Sequence, residues 1–146
     1  MNPYIALTRP GNMVLTAIAV VAGAFIAAGT NVSDFQMEIL ICCFCSMMLV
    51  GGGNALNDYN DRETDKENHP ERPIPSGKVS ADSAYTYAQS LLGLGLLILL
   101  LALENKMPFV VALIGVLLLI AYENGLKAAG ITGNVAAGLM SGAVFL

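Results

Sequence analysis

Tryptophan is absent from this chain, charged residues are scarce, and histidine occurs only once. Charged residues make up 12% of the 146 residues, about half the fraction found in soluble domains. The seven Lys and Arg residues form no basic stripe, so the sequence gives almost no support to nucleic-acid binding. Hydrophobic residues account for 55% of the chain. This composition excludes an ordinary soluble domain and indicates a membrane protein.

The three cysteines also exclude one kind of site. They lie together at 42, 43 and 45 in an apolar run, without a second pair at metal-binding spacing, and are predicted to be packing residues of a helix. The glycines at 51–53 are not followed by Gly-Lys-Ser/Thr, so they do not form a nucleotide phosphate loop. Small residues late in a membrane helix instead favour close packing or a kink.

Five apolar segments are candidates for membrane-spanning helices, at 13–29, 39–57, 84–103, 108–122 and 131–146. A span needs roughly 20 residues. The first three segments reach that range, the fourth is short, and the fifth runs to the last residue. The sequence therefore predicts an all-α, multi-pass transmembrane helix bundle with about five helices.

The positive charges predict how the bundle is oriented. Six of the seven Lys and Arg residues fall in the N-terminus, the segment 58–83 and the segment 123–130, whereas only Lys106 falls on the other side. Short cytoplasmic loops carry the excess of Lys and Arg. We therefore expect a cell-membrane location with the N-terminus and the segment 58–83 in the cytoplasm.

The segment 54–77 is the least membrane-like part of the chain and holds six of its eleven acids. Asn57, Asp61 and Asp65 are spaced four apart, so on a helix they share one face, with Asp58 beside them. A row of oxygen donors is what Mg²⁺ prefers, particularly when phosphate oxygens complete its shell. These four residues are the predicted metal ligands, and the alternative is a solvated helix end.

A proline-rich segment, residues 69–79, and two positively charged side chains, Arg72 and Lys127, accompany the acidic row. Prolines at 70, 73 and 75 stiffen the chain and are expected to hold Arg72 and Ser76 above the carboxylates. Arg72 is a natural bidentate partner for phosphate. Lys127 is either a charge that sets the topology or a cation that neutralises a departing diphosphate.

The residues 57–65 read Asn-Asp-Tyr-Asn-Asp-Arg-Glu-Thr-Asp and resemble the first aspartate-rich motif of the UbiA superfamily of intramembrane prenyltransferases, N-D-x-x-D-x-x-x-D. The pattern at 68–77 is also similar to that family, except that His69 stands where Arg is common. Tyr122, Lys127, Gly133 and Asn134 resemble a second cytoplasmic loop of the family. The resemblance implies a fold of nine transmembrane helices. Residues 1–146 would be the N-terminal part of that single domain and incomplete.

The resemblance also implies an activity. The N-terminal residues 2–12 and the acidic segment are most similar to members that move a geranylgeranyl group from its diphosphate to geranylgeranylglyceryl phosphate, in archaeal ether-lipid synthesis. Asp61, Asp65 and Lys127 would then be catalytic, and Mg²⁺ would be the cofactor. The expected partners are an isoprenoid diphosphate, a lipid acceptor and membrane lipids. The substrate-binding residues would be Asn68, Arg72, Tyr122, Lys127 and Asn134.

Two other functions remain open at this point. One is a prenyltransferase of the same family with an aromatic acceptor, of the quinone, haem or chlorophyll type. The other is a non-catalytic membrane module, such as a fragment of a divalent-cation transporter or an assembly subunit. The family's second D-x-x-x-D motif is absent, since only Glu104 and Glu123 follow Asp82. We therefore expect the 146 residues to lack one side of the metal-diphosphate site.

Overall fold

The computed structural model describes residues 1–125, Val135 and Gly138, and the elements within these residues are all helical. In chain order they are α1 (Pro3–Thr8), α2 (Pro10–Ala28), a 3₁₀ helix (Gly29–Phe35), α3 (Gln36–Asn60), α4 (Arg62–Asn68), α5 (Ala81–Ala102) and α6 (Met107–Glu123). The predicted all-α architecture is confirmed. The first four predicted apolar segments correspond to α2, α3, α5 and α6. The fifth, 131–146, lies outside the described residues apart from Val135 and Gly138.

The helices are long and apolar enough for a membrane. The stretch Pro10–Asn60 and the helix Ala81–Ala102 are both long and apolar enough to cross a membrane, and Met107–Glu123 is a shorter apolar helix. The first stretch contains two antiparallel helices, because α2 ends at Gly29, whose φ of 56° is left-handed, and the 3₁₀ helix reverses the chain. The contacts show the reversal. Asn54 Nδ2 donates to the Thr8 carbonyl (2.9 Å), and Cys43 Sγ lies 3.6 Å from the Ala17 carbonyl.

Helix α3 is the centre of the bundle and packs on every other long helix. It packs most closely on α5, because a Cβ added to Gly52 would lie 3.0 Å from the Ala88 carbonyl oxygen. Gly95 of α5 faces Leu49 of α3 in the same way, so α5 runs antiparallel to α3. Helix α6 runs parallel to α3, since Leu119 packs on Gly53 and Glu123, four residues after Leu119, reaches Asn57, four residues after Gly53. The C-terminal ends of α3 and α6 therefore meet at one end of the bundle.

Three elements were not predicted from the sequence: α1, the 3₁₀ helix and α4. The 3₁₀ helix contains Asp34 and connects α2 to α3, and α4 lies inside the segment 58–83. Helix α4 has Glu63 in its first turn and Lys66 in its last, as the helix dipole favours. Lys66 Nζ donates to Glu63 Oε2 (2.6 Å) and holds the pKa of the Glu63 carboxyl below its usual value. Both side chains are exposed, so the pair stabilises the fold little.

The N-terminal segment is fixed by its caps. Asn2 caps α1 by accepting a hydrogen bond from the Tyr4 amide (2.9 Å), and Pro3 opens the helix. Arg9 separates α1 from α2 and adopts φ 50°, the left-handed conformation that residues other than glycine seldom take. Pro10 then begins α2 with the φ that a first helical residue needs. This turn directs the Arg9 side chain toward the end of α3.

A cluster of buried apolar residues lies beneath the polar end of the bundle. It joins α1, α3, α5, α6 and the proline-rich segment before α5, through Leu7, Ala55, Leu56, Val79, Ala84, Ala88, Leu92 and Val116. The Val79 amide donates to the Pro73 carbonyl (3.1 Å), which closes the proline-rich segment onto this core. Burial of this cluster fixes the four helices and the proline-rich segment relative to one another.

Candidate active site

A row of polar side chains continues from the end of α3 into α4. The Asp61 amide donates to the Asn57 carbonyl (2.9 Å), and the Asp65 amide donates to the Asp61 carbonyl (2.8 Å). The four-residue hydrogen-bond spacing is therefore kept across the junction at Asp61. Because residues four apart stack on one helix face, Asn57, Asp61 and Asp65 face the same side, as their spacing predicts.

That face forms a wall of an open cavity of about 740 Å³ at the polar end of the bundle. Its size is typical of a small-molecule site. The lining residues come from three parts of the chain, the turn before α2, the row on α3 and α4, and the proline-rich segment: Arg9, Asn57, Asp61, Thr64, Asp65, Asn68, His69 and Arg72. The cavity thus combines oxygen donors on one wall with two guanidinium groups.

Two arginines and two buried carboxylates form an alternating network beside the cavity. Arg72 Nη1 donates to Asp65 Oδ2 (2.6 Å) and lies 3.5 Å from Asp58 Oδ1. Arg9 Nη2 donates to the same Asp58 oxygen (2.5 Å). Asp58 and Asp65 are only 3% and 5% exposed, and carboxylates so buried require paired cations. The network joins α3, α4, the proline-rich segment and the turn before α2.

A second network involves the end of α6. Asn57 Nδ2 donates to Asp61 Oδ2 (3.0 Å) and to Glu123 Oε1 (3.1 Å). Asn60 Nδ2 donates to the other oxygen of Glu123, Oε2 (3.2 Å). Glu123 is the last residue of α6 and reaches α3 because the two helices run parallel. The amide of Asn57 is thus held between two carboxylates.

The oxygen ligands in the cavity suit Mg²⁺, which takes part of its coordination shell from substrate and water. They do not suit a metal whose ligands all come from the protein. Within residues 1–125 together with Val135 and Gly138, no group of three His, Cys, Asp or Glu residues could hold a metal ion. Asn57, Asp61 and Asp65 offer one amide and two carboxylates on one wall. Mg²⁺ characteristically binds one or two carboxylates and takes its other ligands from phosphate and water. Arg72 donates to Oδ2 of Asp65, so that oxygen is already engaged by a cation.

The structure brings most of the predicted site residues together. Asn57, Asp61, Asp65, Asn68 and Arg72 all line the cavity. Asp58, a predicted metal ligand, lies behind the wall in the arginine network and does not line the cavity. Tyr122, a predicted substrate-binding residue, is half-buried on α6 and is not a lining residue either. Lys127 and Asn134 lie outside the described residues. Ser76 donates to the Pro73 carbonyl (3.4 Å), within its own turn.

Four residues at or beside this site were not predicted from the sequence to belong to it. Thr64 and His69 line the cavity, as does Arg9, and Glu123 contacts Asn57. Thr64 had a detectable signal, because it follows Asp61 by three residues on the same helix face. No spacing pattern connects Arg9 or Glu123 with the row, because each reaches the site from a distant part of the chain.

Comparison with known proteins finds relatives along the whole chain. The model of the UbiA prenyltransferase family matches residues 16–146. Digeranylgeranylglyceryl phosphate synthase of Methanobrevibacter smithii is 32% identical over 149 residues, which include 100% of this chain and 51% of the relative. The synthase of the same name from Methanococcoides burtonii is 37% identical over 152 residues, with 100% and 53% covered. The chain thus spans about half the length of the curated relatives it matches.

A solved structure gives the same result. A structure of digeranylgeranylglyceryl phosphate synthase in membranes superposes with a TM-score of 0.89 at 31% identity. The match covers 98% of this chain and 50% of the solved chain. The similarity therefore extends to the arrangement of the helices as well as to the sequence motifs. With the apolar helices described above, it supports a membrane location.

Proposed function

Because this chain belongs to the UbiA prenyltransferase family, we propose that it supplies one side of the active site of a prenyltransferase. The reaction moves a geranylgeranyl group from its diphosphate to the free hydroxyl of geranylgeranylglyceryl phosphate and forms an ether bond. The observation that carries this proposal is the row of Asn57, Asp61 and Asp65 on a cavity wall at the end of apolar helices. The names of the relatives support the glycerol-based acceptor rather than an aromatic one.

The diphosphate is proposed to bind in the cavity between the row and the arginines. Asn57, Asp61 and Asp65 would hold Mg²⁺. The bound ion would neutralise charge on the departing diphosphate. Arg72 and Arg9 place two positive charges at the cavity, and Arg72 contacts the row at Oδ2 of Asp65. Guanidinium groups are suited to phosphate oxygens and stabilise the charge that develops on the leaving group. Lys127 is proposed to add a third cation.

The apolar helices are proposed to accommodate the prenyl chain. Helices α2, α3, α5 and α6 carry apolar side chains below the cavity, and the polar residues lie at the end of the bundle. An allylic cation needs surroundings that exclude water, and such surroundings begin directly beneath the row. A transporter places its ion site near the membrane midplane. The position of the acids at helix ends therefore favours an enzyme at the membrane surface.

We expect Mg²⁺ to bind weakly alone and at least about tenfold more tightly with an allylic diphosphate. The row offers only three ligands, and the remainder come from phosphate and water. Calorimetric titration of the natural full-length protein in detergent, with and without a geranylgeranyl thiodiphosphate analogue, measures the difference. Equal Mg²⁺ affinity in both titrations would contradict a shared metal-diphosphate site.

We also propose that the cavity opens to the cytoplasm, because five of the six Lys and Arg residues in the described part of the chain lie at that end of the bundle. Ser76 and Asn31 are both exposed, on opposite sides of the membrane-length helices. Single cysteines at these positions are made in a protein whose own cysteines are serine. A membrane-impermeant maleimide added to intact cells should label position 31 and spare position 76. The reverse labelling pattern would place the cavity outside.

A further inference from the structure

We propose that Glu123 is a positioning residue, which orients the amide of Asn57 so that its oxygen is presented to the metal. The proposal rests on the proposed function, because it assigns a role to Asn57 within the same Mg²⁺ site. It concerns a residue that the motif at 57–65 does not contain. Glu123 ends α6 and is 66 positions away from Asn57 in the chain.

The argument begins with the hydrogen-bonding capacity of an amide. The Asn57 side chain has two N–H donors and one carbonyl oxygen. Its nitrogen donates to Asp61 Oδ2 (3.0 Å) and to Glu123 Oε1 (3.1 Å), so both donors are used. If the amide were reversed, its oxygen would face two carboxylates and lose both hydrogen bonds. The two acceptors therefore select the rotamer in which Oδ1 points away from them and remains available as a ligand.

Glu123 is itself held in place. Its second oxygen, Oε2, accepts from Asn60 Nδ2 (3.2 Å), so both carboxylate oxygens are bonded to α3. A carboxylate at the last position of a helix interacts unfavourably with the helix dipole, so the charge of Glu123 does not stabilise α6 through the dipole. The same charge lies beside the metal row, where it acts on Asn57. Groups that orient metal ligands in this way commonly change metal affinity by about 10–100-fold when they are removed.

A purely structural role would be different. Glu123 could serve only to tie the end of α6 to α3, through both asparagines equally. Asn60→Ala removes the hydrogen bond to Glu123 Oε2 and leaves Asn57 untouched, so it is the matched control. Asn57→Asp provides a second test, because a carboxylate presents an oxygen ligand whichever way it is turned and no longer needs to be oriented.

The experiment measures Mg²⁺ affinity by calorimetry in the full-length protein, with the geranylgeranyl thiodiphosphate analogue present. We expect Glu123→Ala to weaken Mg²⁺ binding by about 10–100-fold and Asn60→Ala to change it less than about twofold. The double variant Asn57→Asp/Glu123→Ala should recover most of the lost affinity. Thermal unfolding without Mg²⁺ gives the structural readout, in which the two single variants should differ little.

Each other outcome overturns a specific statement. Equal Mg²⁺ affinities for Glu123→Ala and Asn60→Ala would show that the tie between helices is the whole role of Glu123. A loss that Asn57→Asp does not reverse would show that Glu123 acts by a route other than the amide. Absence of Mg²⁺ binding by the unmodified protein would overturn the proposed function, and this inference with it.

Discussion

Asp61→Ala is expected to lower the rate of prenyl transfer by at least about 100-fold, the usual loss when a group that stabilises charge is removed from an active site. Asp61 is the central member of the row, one turn from both Asn57 and Asp65. Its removal takes away a proposed metal ligand and also the carboxylate that accepts from Asn57 Nδ2. The rate is measured with geranylgeranyl diphosphate and geranylgeranylglyceryl phosphate in detergent, with the ether product detected by mass spectrometry.

Asp82→Ala is the matched control for this result. Asp82 is an exposed carboxylate in the first turn of α5, and it does not line the cavity. Its removal changes the net charge by the same amount, so the rate should stay within about twofold of the unmodified protein. An Asp61→Ala protein that is folded and still transfers the prenyl group at a similar rate would refute the assignment of the row as the metal site.

Arg72→Ala is expected to impair both stability and transfer. Arg72 is the partner of two buried carboxylates, Asp65 at 2.6 Å and Asp58 at 3.5 Å. Removing one partner of a buried ion pair costs about 3–5 kcal/mol. Because the Arg72 side chain is 26% exposed, we expect the lower value, about 3 kcal/mol. Asp65 would also lose the hydrogen bond that fixes its orientation, so the rate should fall together with stability.

Thermal unfolding in detergent measures the first effect, and the transfer assay at a temperature where the variant is folded measures the second. Arg62→Ala is the control, because the Arg62 guanidinium lies over the Tyr59 ring (4.5 Å to its centre) and contacts neither Asp58 nor Asp65. Its loss should cost less than about 1 kcal/mol. Similar unfolding temperatures for the two variants would show that the buried network does not depend on Arg72.

The sequence was sufficient for the parts of this molecule that follow from local spacing. Apolar runs predicted α2, α3, α5 and α6, although the run for α6 is shorter than a full span, because each helix depends on its own residues. The row at 57, 61 and 65 was predicted from its four-residue spacing. The prediction succeeded because backbone hydrogen bonding continues through the junction at Asp61. The position of Arg72 near the carboxylates was also predicted, because only seven positions separate it from Asp65 and Pro70 stiffens the chain between them.

The remaining features depend on how the helices pack. Asp58 was predicted to be a metal ligand because it adjoins Asn57, but neighbours in a helix point about 100° apart, and Asp58 turns toward Arg9. That contact spans 49 positions and requires α1 to fold against α3. Glu123 meets Asn57 only because α6 runs parallel to α3. Neither pairing leaves a periodic pattern in the sequence, so neither could be predicted.

The ion pair between Arg9 and Asp58 has a consequence for the order of events during synthesis. At about 5–20 residues per second, Asp58 is made roughly 2–10 s after Arg9. During that interval Arg9 carries an unneutralised charge, which under the proposed topology would resist translocation of the N-terminus. The pair forms only after α3 has been completed. Under the proposed topology, Arg9 would thus act first as a signal to the insertion machinery, and in the folded protein it lines the cavity.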